Sequence, residues 1–168
     1  MTGIIEERFW DGKKFSTLHD EQLKKLLITG QVAAFEKHAG QAYTLCGEVV
    51  EGNRVGRRLG YPTANLETKD IAKVLPGQGA YAVMVKVDNE WFKGMANVGI
   101  RPTLDLEHVT IEAHLFGFSK DIYGKEICIA FLERIRDEMK FSSLNELKAQ
   151  LNKDQENAEK ILQKTKWS

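Results

Sequence analysis

The chain has 168 residues, enough to bury one sizeable core, so we expect one domain with at most a small extension. Lys plus Arg and Asp plus Glu number 24 each, and this balance excludes the broad positive field of most proteins that bind nucleic acids or anionic membranes. Any basic site must therefore be local, and neither nucleic acid nor a membrane is an expected partner.

The N-terminus and the cysteines both favour a cytoplasmic location. "MTGIIEERFW" carries acidic residues where a signal peptide needs basic ones, and no apolar run reaches membrane-spanning length. Cys46 and Cys128 lack the Cys-x-x-Cys spacing, so they are interpreted as reduced, buried thiols. No disulfide is predicted.

Residues 18–40 have the apolar spacing of two short helices. Leu23, Leu26 and Leu27 form a stripe, Gly30 is placed to end the first helix, and Gly40 ends the second. We predict that residues 1–42 form a helical appendage and that residues 43–168 form the main domain.

From Tyr43 onward the apolar period shortens to two, which is typical of strands. Asp88-Asn89 is a predicted hairpin turn, and Ser143 with Glu146 forms a capping box for a final helix whose stripe is interrupted near Asp154. Five or six short strands flanked by helices favour a mainly β, antiparallel barrel. The strands are predicted in "YTLCGEVV", "PTANLE", "YAVMVKV", "WFKGMANV", "VTIEAHLF" and "EICIAFLERI".

The loop between the first two strands combines glycines with arginines. Gly52, Gly56 and Gly60 recur every four residues, which lets backbone approach a ligand closely. Arg54, Arg57 and Arg58 form the densest positive cluster of the chain. The combination suits a polyphosphate. The alternative from residue types alone is a flexible basic turn.

The segment "GYPTAN" directly follows this loop. Pro62 favours an extended conformation at Tyr61, and in extended backbone Thr63 and Asn65 point to the same side. Their hydroxyl and amide oxygens are hard ligands that suit Mg²⁺.

Four segments occur in the order found in riboflavin kinases, and the chain resembles that family over about residues 43–162. They are "GEVVEGNRVGRRLGYPTANL", "GMANVGIRPT", "IEAHLF" and "DIYGKEICIAFLERIRDEMKFSSLNELKAQLNKD". The resemblance implies a six-stranded Greek-key-type closed barrel with a C-terminal helix. It also implies Mg²⁺-dependent transfer of the γ-phosphate of ATP to the 5′-hydroxyl of riboflavin, giving FMN.

The resemblance also implies roles for individual residues. Thr63 and Asn65 match the metal ligands, and Glu112 matches the catalytic base that takes the proton of the riboflavin hydroxyl. A solvated carboxylate on the outer face of its strand is the alternative for Glu112. The residues implied to bind ATP or flavin are Gly52, Gly56, Arg57, Gly60, Pro62, Thr63, Asn65, Asn97 and Phe141.

Two interpretations remain open for each of three further side chains. Arg136 matches a catalytic arginine on a mobile loop that closes over substrate, or it forms a surface ion pair with Asp137 or Glu138. Phe141 would offer an apolar wall to the isoalloxazine ring, or it packs down the final helix. His114 is expected to be structural, the alternative being contact with the base or with ATP.

Residues 15–42 resemble the connector between the adenylyltransferase and kinase halves of bacterial bifunctional FAD synthetases. No adenylyltransferase sequence precedes them and the chain begins with Met, so we expect a stand-alone, monomeric kinase that makes FMN but not FAD. Three other classes of protein are alternatives: a nucleic-acid-binding barrel, a catalytically silent flavin-binding regulator and an FMN-dependent oxidoreductase barrel. The joint presence of Thr63, Asn65 and Glu112 favours the kinase.

Overall fold

A computed structural model describes residues 18–52, 54–67, 74–102 and 107–167. Thr103, which belongs to one of the matching segments, lies outside the described residues. The helices are α1 (Leu18–Ile28), α2 (Val32–Ala39), α3 (Val55–Arg58) and α4 (Leu144–Lys164). The strands are β1 (Tyr43–Val50), β2 (Ala64–Glu67), β3 (Gly79–Val87), β4 (Glu90–Pro102), β5 (Glu107–Leu115) and β6 (Glu126–Arg136).

The six strands of the described residues close into an antiparallel barrel with the order β1-β2-β5-β4-β3-β6, which confirms the predicted fold class. Asp88 and Asn89 both have positive φ angles between β3 and β4, as the predicted hairpin turn requires. Ser143 accepts a hydrogen bond from the Glu146 backbone N–H over 3.2 Å, which confirms the predicted cap of α4.

Alternation along each strand divides the side chains between two cores. The inward side chains, among them Tyr43, Tyr81 and Phe131, fill the barrel. Outward side chains of β3, β4 and β6 pack against Ala158 and Leu162 of α4. Helix α4 therefore covers one side of the barrel wall.

Helices α1 and α2 contribute to the barrel core. Leu23, Leu27, Val32 and Phe35 are all buried in the same cluster as the inward strand residues. The ring of Phe35 meets that of Tyr43 edge to face, with centroids 5.4 Å apart. The domain boundary at residue 42 stays a prediction, but the helices share one core with the strands.

The prediction that Cys46 and Cys128 remain free thiols is wrong. The two residues lie directly opposite each other on β1 and β6, with Cα atoms 4.0 Å apart, and they form a disulfide. Eighty-two positions separate them in the sequence, so only the register of the barrel reveals that their side chains meet.

Candidate functional site

Three polar residues form a row across neighbouring strands. Glu112 of β5 is paired in register with Asn65 of β2 on one side and with Asn97 of β4 on the other. Paired residues share a face of a sheet, and the flanking Ile111 and Ala113 point into the barrel. The row therefore lies on the outer face of the barrel wall.

The side chain of Asn65 connects Glu112 to the glycine-rich loop. When the amide is oriented by its hydrogen-bonding partners, Nδ2 donates to Oε1 of Glu112 over 3.0 Å and Oδ1 accepts from the Gly52 N–H over 3.3 Å. A Cβ atom on Gly52 would overlap the Asn65 amide. The close approach at Gly52 is thus made by a protein side chain, whereas the sequence led us to expect a ligand.

The rest of the loop is more ordered than predicted. Residues Val55–Arg58 form the short helix α3, where the sequence predicted only a loop. The Gly56 carbonyl accepts the Tyr61 backbone N–H over 2.7 Å, which folds the chain back toward Thr63. Gly60 follows the helix with φ +86° and contributes to neither of the cavities described next.

The first cavity has a volume of about 370 Å³ and lies beside the loop. Arg54, Arg57 and Lys120 bring positive charge to its lining, and Thr63 and Asn65 bring neutral oxygens. Arg54 is also ion-paired with Glu51. Gly52 and Pro62 lie in the same lining. Four residues predicted to bind ATP or flavin therefore meet here beside Arg57, namely Gly52, Pro62, Thr63 and Asn65. This cavity suits a polyphosphate.

The second cavity, of about 210 Å³, lies between the barrel wall and α4. Its lining is largely apolar and aromatic, with Tyr61, Met95, Phe141, Leu147 and Leu151. Its polar members include Asn97, Glu112 and Arg136. A flat aromatic ligand needs such a slot, mostly apolar with a few polar anchors.

Thr63 contributes to the lining of both cavities. Asn65, two positions after Thr63, lines the first cavity. Glu112, which accepts a hydrogen bond from Asn65, lines the second. The structure therefore brings Thr63, Asn65 and Glu112 together where a cavity with positively charged lining residues meets a largely apolar one. Their chemical roles stay predictions.

Asn97 offers an acceptor in the second cavity. Its Nδ2 lies 3.4 Å from Oε2 of Glu138, and its buried Oδ1 accepts no hydrogen bond within the described part of the chain. Because an unsatisfied buried acceptor costs free energy, a ligand N–H or O–H that reaches Oδ1 would be favoured.

His114 connects β5 to the segment that contains Pro62 and Thr63. Its Nδ1 lies 2.7 Å from the Pro62 carbonyl oxygen, and because a carbonyl can only accept, Nδ1–H is the donor. The ring also meets Tyr61 edge to face, with centroids 5.2 Å apart. His114 also lines the second cavity together with Glu112, so its structural role stays a prediction.

Arg136 has a different partner from those considered in the sequence. Its guanidinium is paired with Asp154 of α4, which is only 2% exposed, while Asp137 is paired with Arg134. The alternative of a surface ion pair with Asp137 or Glu138 is therefore wrong. Arg136 lies over the ring of Phe141, 5.8 Å from its centroid, so these two predicted residues are neighbours.

Sequence reasoning missed several lining residues of the cavities. Lys120 directly precedes the matching segment that begins at Asp121, and Tyr123 lies within it, but the sequence analysis assigned no role to either residue. Asp154 did leave a signal, since it interrupts the apolar stripe of the last helix.

The pKa of Tyr61 is raised by burial and by the carboxylates of Glu156, Glu159 and Asp154, so its hydroxyl stays protonated and able to donate to Asn152.

The described residues contain no cluster of three or more His, Cys, Asp or Glu side chains able to hold a metal ion. A divalent ion in this part of the chain would instead use neutral oxygens and its ligand's phosphates. The hydroxyl of Thr63 and the amide oxygen of Asn65 fit that donor chemistry for Mg²⁺. No helix in the described ranges is both long and apolar enough to cross a bilayer.

Comparison with known proteins identifies a family and several relatives. The family model described as riboflavin kinase matches residues 39–162. The bifunctional riboflavin kinase/FMN adenylyltransferase of Haemophilus influenzae is 39% identical over 137 residues, covering 81% of this chain and 44% of that protein. The protein of the same name from Bacillus subtilis is 34% identical over 158 residues, covering 92% of this chain and 49% of that protein.

Two solved structures are similar to this chain. Riboflavin kinase from Trypanosoma brucei superposes with a TM-score of 0.52 at 27% identity, covering 74% of this chain and 82% of that one. A Streptococcus pneumoniae structure described as a macrolide-efflux protein gives a TM-score of 0.79 at 36% identity, covering 88% of this chain and 46% of that one. The chain spans less than half the length of the two bacterial relatives named above. By the extent of the family match, this chain belongs to the riboflavin kinase family.

Proposed function

We propose that this protein transfers the γ-phosphate of ATP to the 5′-hydroxyl of riboflavin, giving FMN and ADP. The observation that carries the proposal is the sharing of Thr63 by two cavities of different chemistry. ATP is the phosphate donor of the family, and the names of the relatives specify riboflavin and FMN.

The first cavity would bind the triphosphate. Arg54, Arg57 and Lys120 carry charge that offsets that of the phosphates, and Gly52 lines the same space. Thr63 and Asn65 would hold Mg²⁺, which would supply positive charge to offset that of the phosphates.

The second cavity would bind the flavin. Phe141 and the apolar residues of α4 form one wall for the isoalloxazine ring, and Met95 forms part of the other. The polar row on the barrel wall then faces the ribityl chain. The unpaired Oδ1 of Asn97 is available to accept from a flavin N–H or a ribityl hydroxyl.

Glu112 would act as the general base. Its carboxylate takes the proton of the 5′-hydroxyl as the new oxygen–phosphorus bond forms and the bond from the γ-phosphorus to the bridging oxygen of ADP breaks. The hydrogen bond from Asn65 stabilises the ionised carboxylate, which is the form a base needs. General base catalysis of this kind contributes about 10²- to 10⁴-fold, and alignment of the reactants supplies most of the rest.

Incubation of the protein with riboflavin, ATP and Mg²⁺, followed by chromatography, tests the proposal. We expect FMN from the wild type, with kcat lowered about 10²- to 10⁴-fold by Glu112→Gln because the amide cannot accept the proton as a carboxylate does. Glu133→Gln, an exposed glutamate on β6, is the matched control and should retain full activity.

The outcomes separate the possibilities. Full activity of Glu112→Gln would refute the role of Glu112 as the base but would not contradict the proposed kinase activity. A wild type that quenches riboflavin fluorescence without forming FMN would identify a catalytically silent flavin-binding barrel. Replacing riboflavin with FMN in the same incubation checks the expectation that this polypeptide makes no FAD.

A further inference from the structure

The guanidinium of Arg136 is held in place by a carboxylate from another element. Nε donates to both oxygens of Asp154, over 2.9 and 3.1 Å, and Nη2 donates to Oδ2 over 2.8 Å. Gln150, one turn earlier in α4, donates to Oδ1 of Asp154 over 2.9 Å. The carboxylate that holds Arg136 is therefore itself fixed within the helix.

The opposite side of the guanidinium is fixed as well. Nη1 donates to the Asp137 carbonyl over 3.0 Å, and the Phe141 ring lies 5.8 Å from Cζ. Arginine has five N–H donors, and one on each terminal nitrogen finds no acceptor among the described residues. Arg136, Asp154 and Phe141 all line the second cavity together with Glu112.

Packing alone does not explain an acidic residue at position 154. Its neighbours on the buried face of α4 are Ala158 and Leu162, and the other acidic residues nearby, such as Glu156, are exposed. Removing an ion pair from water has a desolvation cost, and apolar side chains of similar size often stabilise such a site equally well. A requirement for a fixed arginine accounts for the carboxylate better than packing does.

We propose that Asp154 is a positioning residue that acts through Arg136, holding the guanidinium against the flavin cavity in the orientation that substrate binding requires. The proposal rests on the proposed function, because the cavity is taken to bind riboflavin. It makes α4 part of the binding site through charge as well as through its apolar side chains.

A double-mutant cycle tests this role. We would compare the wild type, Asp154→Asn, Arg136→Gln and the double variant by the riboflavin Kd from fluorescence quenching, by KM and kcat for FMN formation, and by Tm. A misplaced binding group weakens a site by about tenfold or more, so Asp154→Asn should raise the riboflavin Kd and KM about tenfold. The same substitution in the Arg136→Gln background should have no further effect, because its target is gone.

Glu156→Gln removes an exposed carboxylate from the same helix and is the matched control. A role in stability alone would lower the Tm of Asp154→Asn with an unchanged riboflavin Kd, and that result would overturn the proposal. Additive effects in the double variant would overturn it too.

Gln150→Met is a milder variant for the case in which Asp154→Asn does not stay folded. It keeps the ion pair and removes one bond to Asp154, so a two- to threefold rise in Kd that disappears in the Arg136→Gln background supports the proposal, and no change contradicts it. Because the riboflavin Kd is measured without turnover, the four proteins of the cycle can be compared even if the wild type makes no FMN. That last outcome would refute the proposed function separately.

Discussion

At the scale of single residues, the candidate site depends on contacts that the motifs do not display. Gly52 and Asn65 are thirteen positions apart in the sequence, yet the Gly52 backbone N–H donates to the Asn65 side chain, and that contact leaves no room for a Cβ atom on Gly52. Asn65 in turn donates to Glu112. A small change at Gly52 should therefore reach the predicted metal ligand and the predicted base.

Gly52→Ala is expected to lower kcat/KM for FMN formation about 10- to 10²-fold and to raise the Mg²⁺ concentration needed for half-maximal rate, because the methyl group displaces Asn65. Steady-state kinetics over a Mg²⁺ titration measures both effects. Gly40→Ala is the control: its backbone has φ +84° and open space around it, so it should cost about 1–2 kcal/mol of stability without loss of activity. Unchanged kinetics for Gly52→Ala would contradict the coupling.

At the scale of elements, α1 is a structural part of the barrel. Leu27 is completely buried in the barrel core, while its neighbour Ile28 is 54% exposed. Backbone contacts reinforce the packing, since the Gly77 N–H donates to the Leu27 carbonyl over 2.9 Å. Helix α1 thus packs into the barrel core, whereas α4 covers the outer face of the strands.

Leu27→Ala should lower the free energy of unfolding by about 2–5 kcal/mol, because it removes buried methyl groups and leaves a cavity. Ile28→Ala, the adjacent residue in the same helix, should change it by about 0.5 kcal/mol or less. Urea unfolding of the two variants measures the difference. Equal losses of stability would show that α1 is not anchored in the core as described.

At the scale of the whole molecule, the disulfide connects the first strand to the last. Cys46 and Cys128 link β1 to β6 at the seam that closes the barrel, across 82 positions of sequence. A cross-link over a long segment restricts the unfolded chain more than the folded one. Its main effect should therefore be on stability.

Reduction is expected to lower the free energy of unfolding by about 2–4 kcal/mol, because the unfolded chain regains entropy. Urea unfolding with and without a thiol reductant measures this loss. The double variant Cys46→Ala with Cys128→Ala should unfold at the same urea concentration under both conditions. Identical midpoints for the wild type would contradict a disulfide in the folded protein.

The sequence by itself determined the strands, the hairpin turn at Asp88-Asn89 and the cap at Ser143, because period-two alternation, turn residues and capping boxes act over a few neighbouring positions. Its ordered motifs also indicated the riboflavin kinase family. Only the tertiary structure decided the pairing of Asn65 with Glu112, of Cys46 with Cys128 and of Arg136 with Asp154. These contacts join residues that are distant in the chain, and their existence depends on strand register and helix docking, which local patterns do not encode.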